Sequence, residues 1–200
     1  VEAKRKLQPD ITVPRTWRGF IEEDGYVSIE AEHFTDKTAT ASARWEILPD
    51  HGRTLSAMSI FPVTAPSVTP PHDSPRLEYQ MWLTHTGMVT VTTILSPALN
   101  FAPERGVRLA TSFDDEPPQF ITVVPQGYTA GDGNRDWETS VKDGVRKVLS
   151  QHAITKPGAH TLKVWMVDPA VVLQKLIVDC GGLKPSYLGP PESRFSGGMS

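Results

Sequence analysis

The sequence predicts an all-β fold, an antiparallel β-sandwich of jelly-roll type. Short runs of alternating or β-branched apolar residues recur about nine or ten times, with turn signals every ~8–12 residues. The 18 prolines and 15 glycines are spread along the chain, which suits many short strands better than a helical bundle. The strongest strand pair is residues 158–179, GAHTLKVWMVDPAVVLQKLIVD. There Leu162, Val164 and Met166 alternate with Thr161, Lys163 and Trp165. Asp168-Pro169 interrupts the run, because proline lacks an N–H and steers its predecessor away from the α region. A second apolar run then ends at Asp179. With 200 residues there is room for one domain with a real core.

In chain order, residues 1–20 read as an N-terminal arm or linker, with Trp17 and Phe20 of TWRGF docking on a core. Residues 21–182 read as the sandwich, and 183–200 as a C-terminal strap with a flexible tail. Residues 25–34 alternate cleanly and form a strand. Residues 38–43 are a loop or edge, 44–48 a short strand, and Pro49-Asp50-His51-Gly52 a turn. Residues 54–63 form a strand before a proline-rich loop over 64–74, which can donate few ladder hydrogen bonds. The runs 76–83 and 88–95 read as a hairpin through His85-Thr86-Gly87. Two further strands, 107–113 and 120–124, flank the acidic connection Asp114-Asp115-Glu116-Pro117-Pro118. A polar loop over 127–136 leads to one helical turn over 137–144 and then a strand ending near Ile154.

Composition excludes several functions. A formal net charge of -3 gives no electrostatic reason to expect nucleic acid or an anionic membrane as partner. No apolar run approaches the ~20 residues of a transmembrane helix. The first ten residues have no apolar core of a signal peptide. One cysteine, Cys180, rules out an internal disulfide and reads as a small buried hydrophobe. There is no phosphate-binding glycine loop, G-x-S-x-G elbow, H-E-x-x-H or C-x-x-C. His72-Asp73-Ser74 holds the residue types of a triad, but sequence neighbours rarely have triad geometry.

Two groups of residues stand out. Glu30 and Glu32 fall on one face of the first good strand, with side chains ~7 Å apart. Two like charges so placed face solvent, share a lysine or arginine, or hold a hard cation such as calcium. The second group comes from the five tryptophans. Trp45, Trp82 and Trp165 sit in strand patterns and read as core. Trp137 sits among Asn134, Arg135 and Asp136, which pairs a rigid aromatic face with hydrogen-bonding neighbours, as saccharide sites do. A lid packed over one end of the sandwich is the competing reading. Arg53, after a His-Gly turn, is the other candidate site cation, against an ordinary surface arginine.

Taken in order, the segments EAEHF, WEILPDHGRTLSAM, LEY, DWETSVKDGVR, HTLKVWMVDP, VLQKLIVD and SYLGPPES resemble the C-terminal domain of glycoside hydrolase family 115, the xylan α-1,2-glucuronidases. The resemblance covers roughly residues 25–193, and WMVDP…VLQK and SYLGPPES are its most specific parts. The same order is similar, more distantly, to carbohydrate-binding modules of families 6 and 35. That resemblance implies a calcium-stapled sandwich, with Glu30, Glu32 and Asp179 as metal ligands. Those modules continue past the closing acid with an aromatic and a charged residue, whereas Cys180-Gly181-Gly182 follows here. The resemblance further implies a non-catalytic accessory domain, extracellular or periplasmic. Its partners would be glucuronoxylan or a related plant cell-wall polysaccharide and the catalytic domains of a parent hydrolase. The alternative is a structural domain that mediates a homodimer and binds no sugar itself.

Overall fold

The computed structural model describes residues 12–197. The elements run β1 (Gly19–Ile21), β2 (Tyr26–Glu30), β3 (Asp36–Thr38), β4 (Arg44–Leu48), β5 (Ala57–Phe61), β6 (Arg76–Leu83), β7 (Gly87–Leu95), β8 (Val107–Phe113), β9 (Gln119–Val124), α1 (Arg135–Asp143), β10 (Arg146–Ile154), β11 (Gly158–Met166), β12 (Val172–Asp179) and β13 (Phe195–Ser196). One sheet has the order β13-β1-β6-β11-β8-β9, with β3 also on β6; the other has β10-β7-β12-β5-β4, with β2 on β12. All pairs among these strands are antiparallel except β1 with β6. The sandwich expected from the sequence is therefore what the chain forms.

Period-two alternation sends one side of each strand inward. Leu77, Tyr79, Met81, Leu162, Val164 and Phe113 of one sheet meet Val27, Ile29, Met58, Ile60, Val91 and Leu176 of the other in a single buried cluster. Polar atoms inside it are satisfied: the Tyr79 hydroxyl donates to Ala31 O at 2.8 Å and the Trp45 indole to Pro75 O at 3.2 Å. Trp45 is core as expected, but Trp82 and Trp165 are not part of this cluster. Trp82 is half-buried and meets Trp17 edge-on at 5.3 Å, and Trp165 packs with Ala110 and Val167 beneath the Arg76 guanidinium.

The expected hairpin over 76–95 is corrected. β6 and β7 lie in different sheets and face each other through the core. Each shows the same alternation whether its neighbour lies beside it or opposite it, so the local pattern could not choose. The structure chooses through Glu22, whose carboxylate accepts the N–H groups of Thr84 at 2.6 Å and His85 at 3.0 Å. Those donors hold an arch between the sheets. β7 pairs instead along its whole length with β10, Gly87 opposite Ile154 and Leu95 opposite Arg146.

The boundaries also differ at both ends. β1 begins at Gly19, inside the expected arm, and Phe20 is fully buried. The strap is built into the fold. Leu183 and Leu188 cover Ile94, Val145 and Ile177 on the outer face of the β7–β12 sheet. The chain then follows the outer edge of β2: Ser193 N–H donates to Ser28 O at 2.8 Å, and Ser28 N–H donates to Ser193 Oγ at 2.9 Å. Glu192 accepts the Glu30 N–H at 2.8 Å and contacts His33 Nδ1 at 2.8 Å. β13 finally pairs with β1 in the opposite sheet. Residues 1–11 of the expected arm and 198–200 of the expected tail lie outside the described residues.

The WMVDP segment crosses from β11 to β12, which lie in opposite sheets. Asp168 is fully buried there and accepts Arg105 Nη1 at 2.7 Å and the Arg108 N–H at 2.8 Å. Burial alone would raise its carboxyl pKa, but the hydrogen bonds from Arg105 and Arg108 outweigh this and hold it below the usual value. A depressed carboxylate stabilises the fold above the unfolded value of about 3.9, and that stabilisation is lost as pH falls through the folded value. Asp168→Asn is expected to cost about 1.5–3 kcal/mol at pH 7. Urea melts should show this gap narrowing at pH 3.

Candidate functional site

The residues singled out around Trp137 lie on and beside α1. Asn134 caps the helix, its Oδ1 accepting the Trp137 N–H at 3.3 Å, and its Nδ2 donates to Thr129 O at 2.7 Å. Asp136 and Glu138 in the first turn complement the positive end of the helix dipole. Gly144, at φ 67°, ends the helix in the left-handed conformation. Arg53 packs over that end, where a Cβ on Gly144 would sit 3.3 Å from Arg53 Cδ. Its main-chain N–H donates to Gln174 Oε1 at 2.9 Å. A nine-residue helix is about 13 Å long, so Arg53 and Asn134 bracket it from opposite ends.

Asn134, Arg135 and Asp136 line one open depression of about 780 Å³ with residues 129–133; Trp137 and Arg53 are not among its lining residues. Two of the three are committed to the fold. Asn134 is the cap, and Asp136 accepts Arg146 Nη2 at 2.6 Å while the Arg146 guanidinium lies over the Tyr128 ring at 5.0 Å. Arg135 and Arg53 stay exposed. This surface can offer cationic donors and the half-buried Trp137, but the five residues do not converge on one ligand.

The three carboxylates expected at calcium are not brought together. Glu30 is 4% and Lys175 3% exposed, and Lys175 Nζ meets Glu30 Oε1 at 2.9 Å. Thr54 Oγ1 donates to the other Glu30 oxygen at 2.6 Å, and Glu32 accepts the Ser56 N–H at 3.0 Å. Of the three ways to satisfy the Glu30–Glu32 pair, the structure uses a lysine for Glu30. Asp179 lies four residues beyond Lys175 on β12, about 13 Å along the strand. It pairs in register with Tyr26, whereas Lys175 pairs with Glu30. Its Oδ1 accepts the N–H groups of Gly181 at 2.8 Å and Leu183 at 3.1 Å. Among the described residues no three His, Cys, Asp or Glu side chains are grouped to hold a metal ion. The donor set does not fit the six to eight oxygens that calcium takes.

Sequence reasoning missed a second concave site, at the Asp179 end of the sandwich. A cleft of about 920 Å³ lies between the β1–β2 turn, the Thr84–His85 arch and the start of the strap. Glu22 is buried at its base and also binds His85 Nδ1. Tyr26, Asp24, Lys184 and Ser186 are among the residues that line it. Half-buried Cys180 lies beside it in the chain; burial, helped by the charges of Glu22 and Asp179, pushes its thiol up to about 12. Glu22 and His85 are 63 residues apart in sequence, and no local spacing signals their meeting. The Gly181-Gly182 pair was the one available hint of a close backbone approach.

The family model for the glycosyl hydrolase family 115 C-terminal domain matches residues 19–192. The chain belongs to this family. No curated protein matches the sequence. Among solved structures, the family 115 C-terminal domain described above is similar to part of a family GH115 4-O-methyl-α-glucuronidase with specificity for decorated arabinogalactans. The TM-score is 0.52 at 17% identity, covering 72% of this chain and 17% of that one. It is also similar to an exo-β-1,3-galactanase from Phanerochaete chrysosporium, at TM-score 0.50 and 14% identity, covering 77% of this chain and 29% of that one. A family 35 carbohydrate-binding module from Clostridium thermocellum matches at TM-score 0.50 and 12% identity, covering 76% of this chain and 97% of the module. At these identities the likenesses establish the fold. The family 115 domain thus spans 17% and 29% of the two enzymes' lengths. Among the described residues no helix is long and apolar enough to cross a membrane.

Two outcomes follow from the carboxylate geometry. Because an internal ammonium already neutralises Glu30, EDTA is expected to leave the melting temperature of the family 115 domain unchanged. Lys175→Met, which strands a buried carboxylate, is expected to cost about 3–5 kcal/mol in urea melts. A thiol reagent at pH 8 is expected to modify Cys180 slowly in the folded chain and rapidly in urea, followed by absorbance.

Proposed function

We propose that this chain is a non-catalytic carbohydrate-binding accessory domain of a family 115 hydrolase. Its ligand in this reading is glucuronoxylan or a related plant cell-wall polysaccharide. It acts outside the cell or in the periplasm, beside the catalytic domains of its parent. The observation that carries the reading is a complete two-sheet sandwich in a family 115 chain, with one face and one end left open to solvent-borne ligands. The extent of the likeness to a whole carbohydrate-binding module supports it as an analogy of fold. The triad-like sequence supports the non-catalytic part. Ser74 is buried and its hydroxyl donates to Met166 O at 2.7 Å, so it is spent on main chain rather than activated by His72.

A structural or dimer-forming role is the second reading. Met88 and Leu149 are 64% and 62% exposed on the β7–β10 pair, and Phe120 on the adjoining edge strand β9 is 48% exposed. Apolar residues beside sheet edges suit contact with a neighbouring domain or a second copy. Affinity electrophoresis against glucuronoxylan, arabinoxylan and arabinogalactan separates the two. Retardation of a monomer by glucuronoxylan is the expected result. A dimer in light scattering that no polysaccharide retards would establish the second reading instead.

A further inference from the structure

The cleft at the Asp179 end is built to stay open. Its walls are three turns that would close on one another if they were not anchored, and each anchor is a side chain accepting main-chain N–H groups. Glu22 takes those of Thr84 and His85 and also His85 Nδ1. Asp179 takes those of Gly181 and Leu183. Between them the backbones touch directly: Cys180 N–H donates to Gly25 O at 2.8 Å, and a Cβ on Gly182 would lie 1.8 Å from Asp24 O. A site so held costs little ordering when a ligand enters, which is where binding energy is otherwise lost.

The groups left over suit one ligand chemistry. Tyr26 is half-buried and gives the cleft an aromatic wall, which suits the apolar face of a pyranose ring. Glu22 is already answered by three donors, so it does not repel an anion as a free carboxylate would. Because Glu22 engages His85 at Nδ1, the ring is oriented and Nε2 remains for another partner. Lys184 is exposed and lines the same cleft. Asp24 and Ser186, also exposed, offer acceptors and a donor for hydroxyls. The cleft volume of about 920 Å³ is within the usual range for small-ligand sites.

We infer that this cleft takes a uronic-acid pyranoside, its ring on Tyr26 and its carboxylate between Lys184 and His85 Nε2. The inference rests on the carbohydrate-binding reading and places the recognition of an acidic sugar branch away from α1. Calorimetry with the whole chain tests it, using glucuronic acid, 4-O-methylglucuronoyl-xylotriose and unsubstituted xylotriose as probes. The uronate-bearing probes are expected to bind, with affinity falling about tenfold in Lys184→Met, a surface change that leaves the melt unaltered. Proton NMR gives the second measurement, as the His85 ring resonance should move on adding glucuronic acid. If the uronate-bearing oligosaccharide binds but neither Lys184→Met nor the His85 resonance responds, the cleft assignment is overturned and carbohydrate binding stands. If the folded chain binds no saccharide at all, the carbohydrate reading falls and this inference falls with it.

Discussion

The Glu30–Lys175 contact joins the first long strand to the last long strand at the most crowded place in the sandwich. β12 is paired with β7 on one side and with β5 and β2 on the other, so it sits in the middle of its sheet. A carboxylate buried beside it needs a counter-charge, because an isolated ion in a low-dielectric interior is strongly disfavoured. Lys175 lies directly opposite Glu30 in register, on a strand that comes 145 residues later. The pair therefore fixes which residue of β2 meets which residue of β12, and a slip of one position would bury both charges unpaired. The family-specific run VLQK thus has a physical meaning. Its lysine satisfies Glu30, and its glutamine ties the Arg53 turn and the end of α1 to the same strand.

The strap has a related role at the neighbouring edge. β2 pairs with β12 on one side only, and an open strand edge is a template for unwanted pairing. The chain from Pro190 to Ser193 occupies that edge with main-chain and side-chain hydrogen bonds, then crosses to β1 in the other sheet. Gly189 makes the turn possible: its φ is +80°, and a Cβ there would lie 2.2 Å from Ile177 Cδ1. SYLGPPES is specific because it must bend over Ile177 and still present Glu192 and Ser193 to β2.

Much of the fold was legible in the sequence because strand burial is a local property. The alternation in 76–83 and 158–166 fixes which side chains face inward, whoever the partner is. Partnership is not local, and so the 76–95 hairpin was misread: the group that decides it, Glu22, lies more than 60 residues upstream. The candidate site was less legible for the same reason. Asn134 and Asp136 have the chemistry of saccharide contacts, but here the cap and Arg146 claim them. Asp179 was visible as an important acid, yet its partners are two N–H groups within four residues of it, and a carboxylate that binds its own turn looks in sequence like one waiting for a metal. His85 read as part of a turn because nothing near it in sequence announces Glu22.

The anchors at the cleft have a consequence for how this end of the molecule can change over evolutionary time. Glu22 and Asp179 grip backbone, not side chains. The identities at positions 24, 184 and 186 are consequently uncoupled from the geometry that displays them. Descendants of one ancestral domain can exchange those three side chains, and with them the preferred branch sugar, while keeping the same scaffold and the same strand register. Diversity within the family should accumulate at those positions, with Gly25, Gly181 and Gly182 left untouched between them.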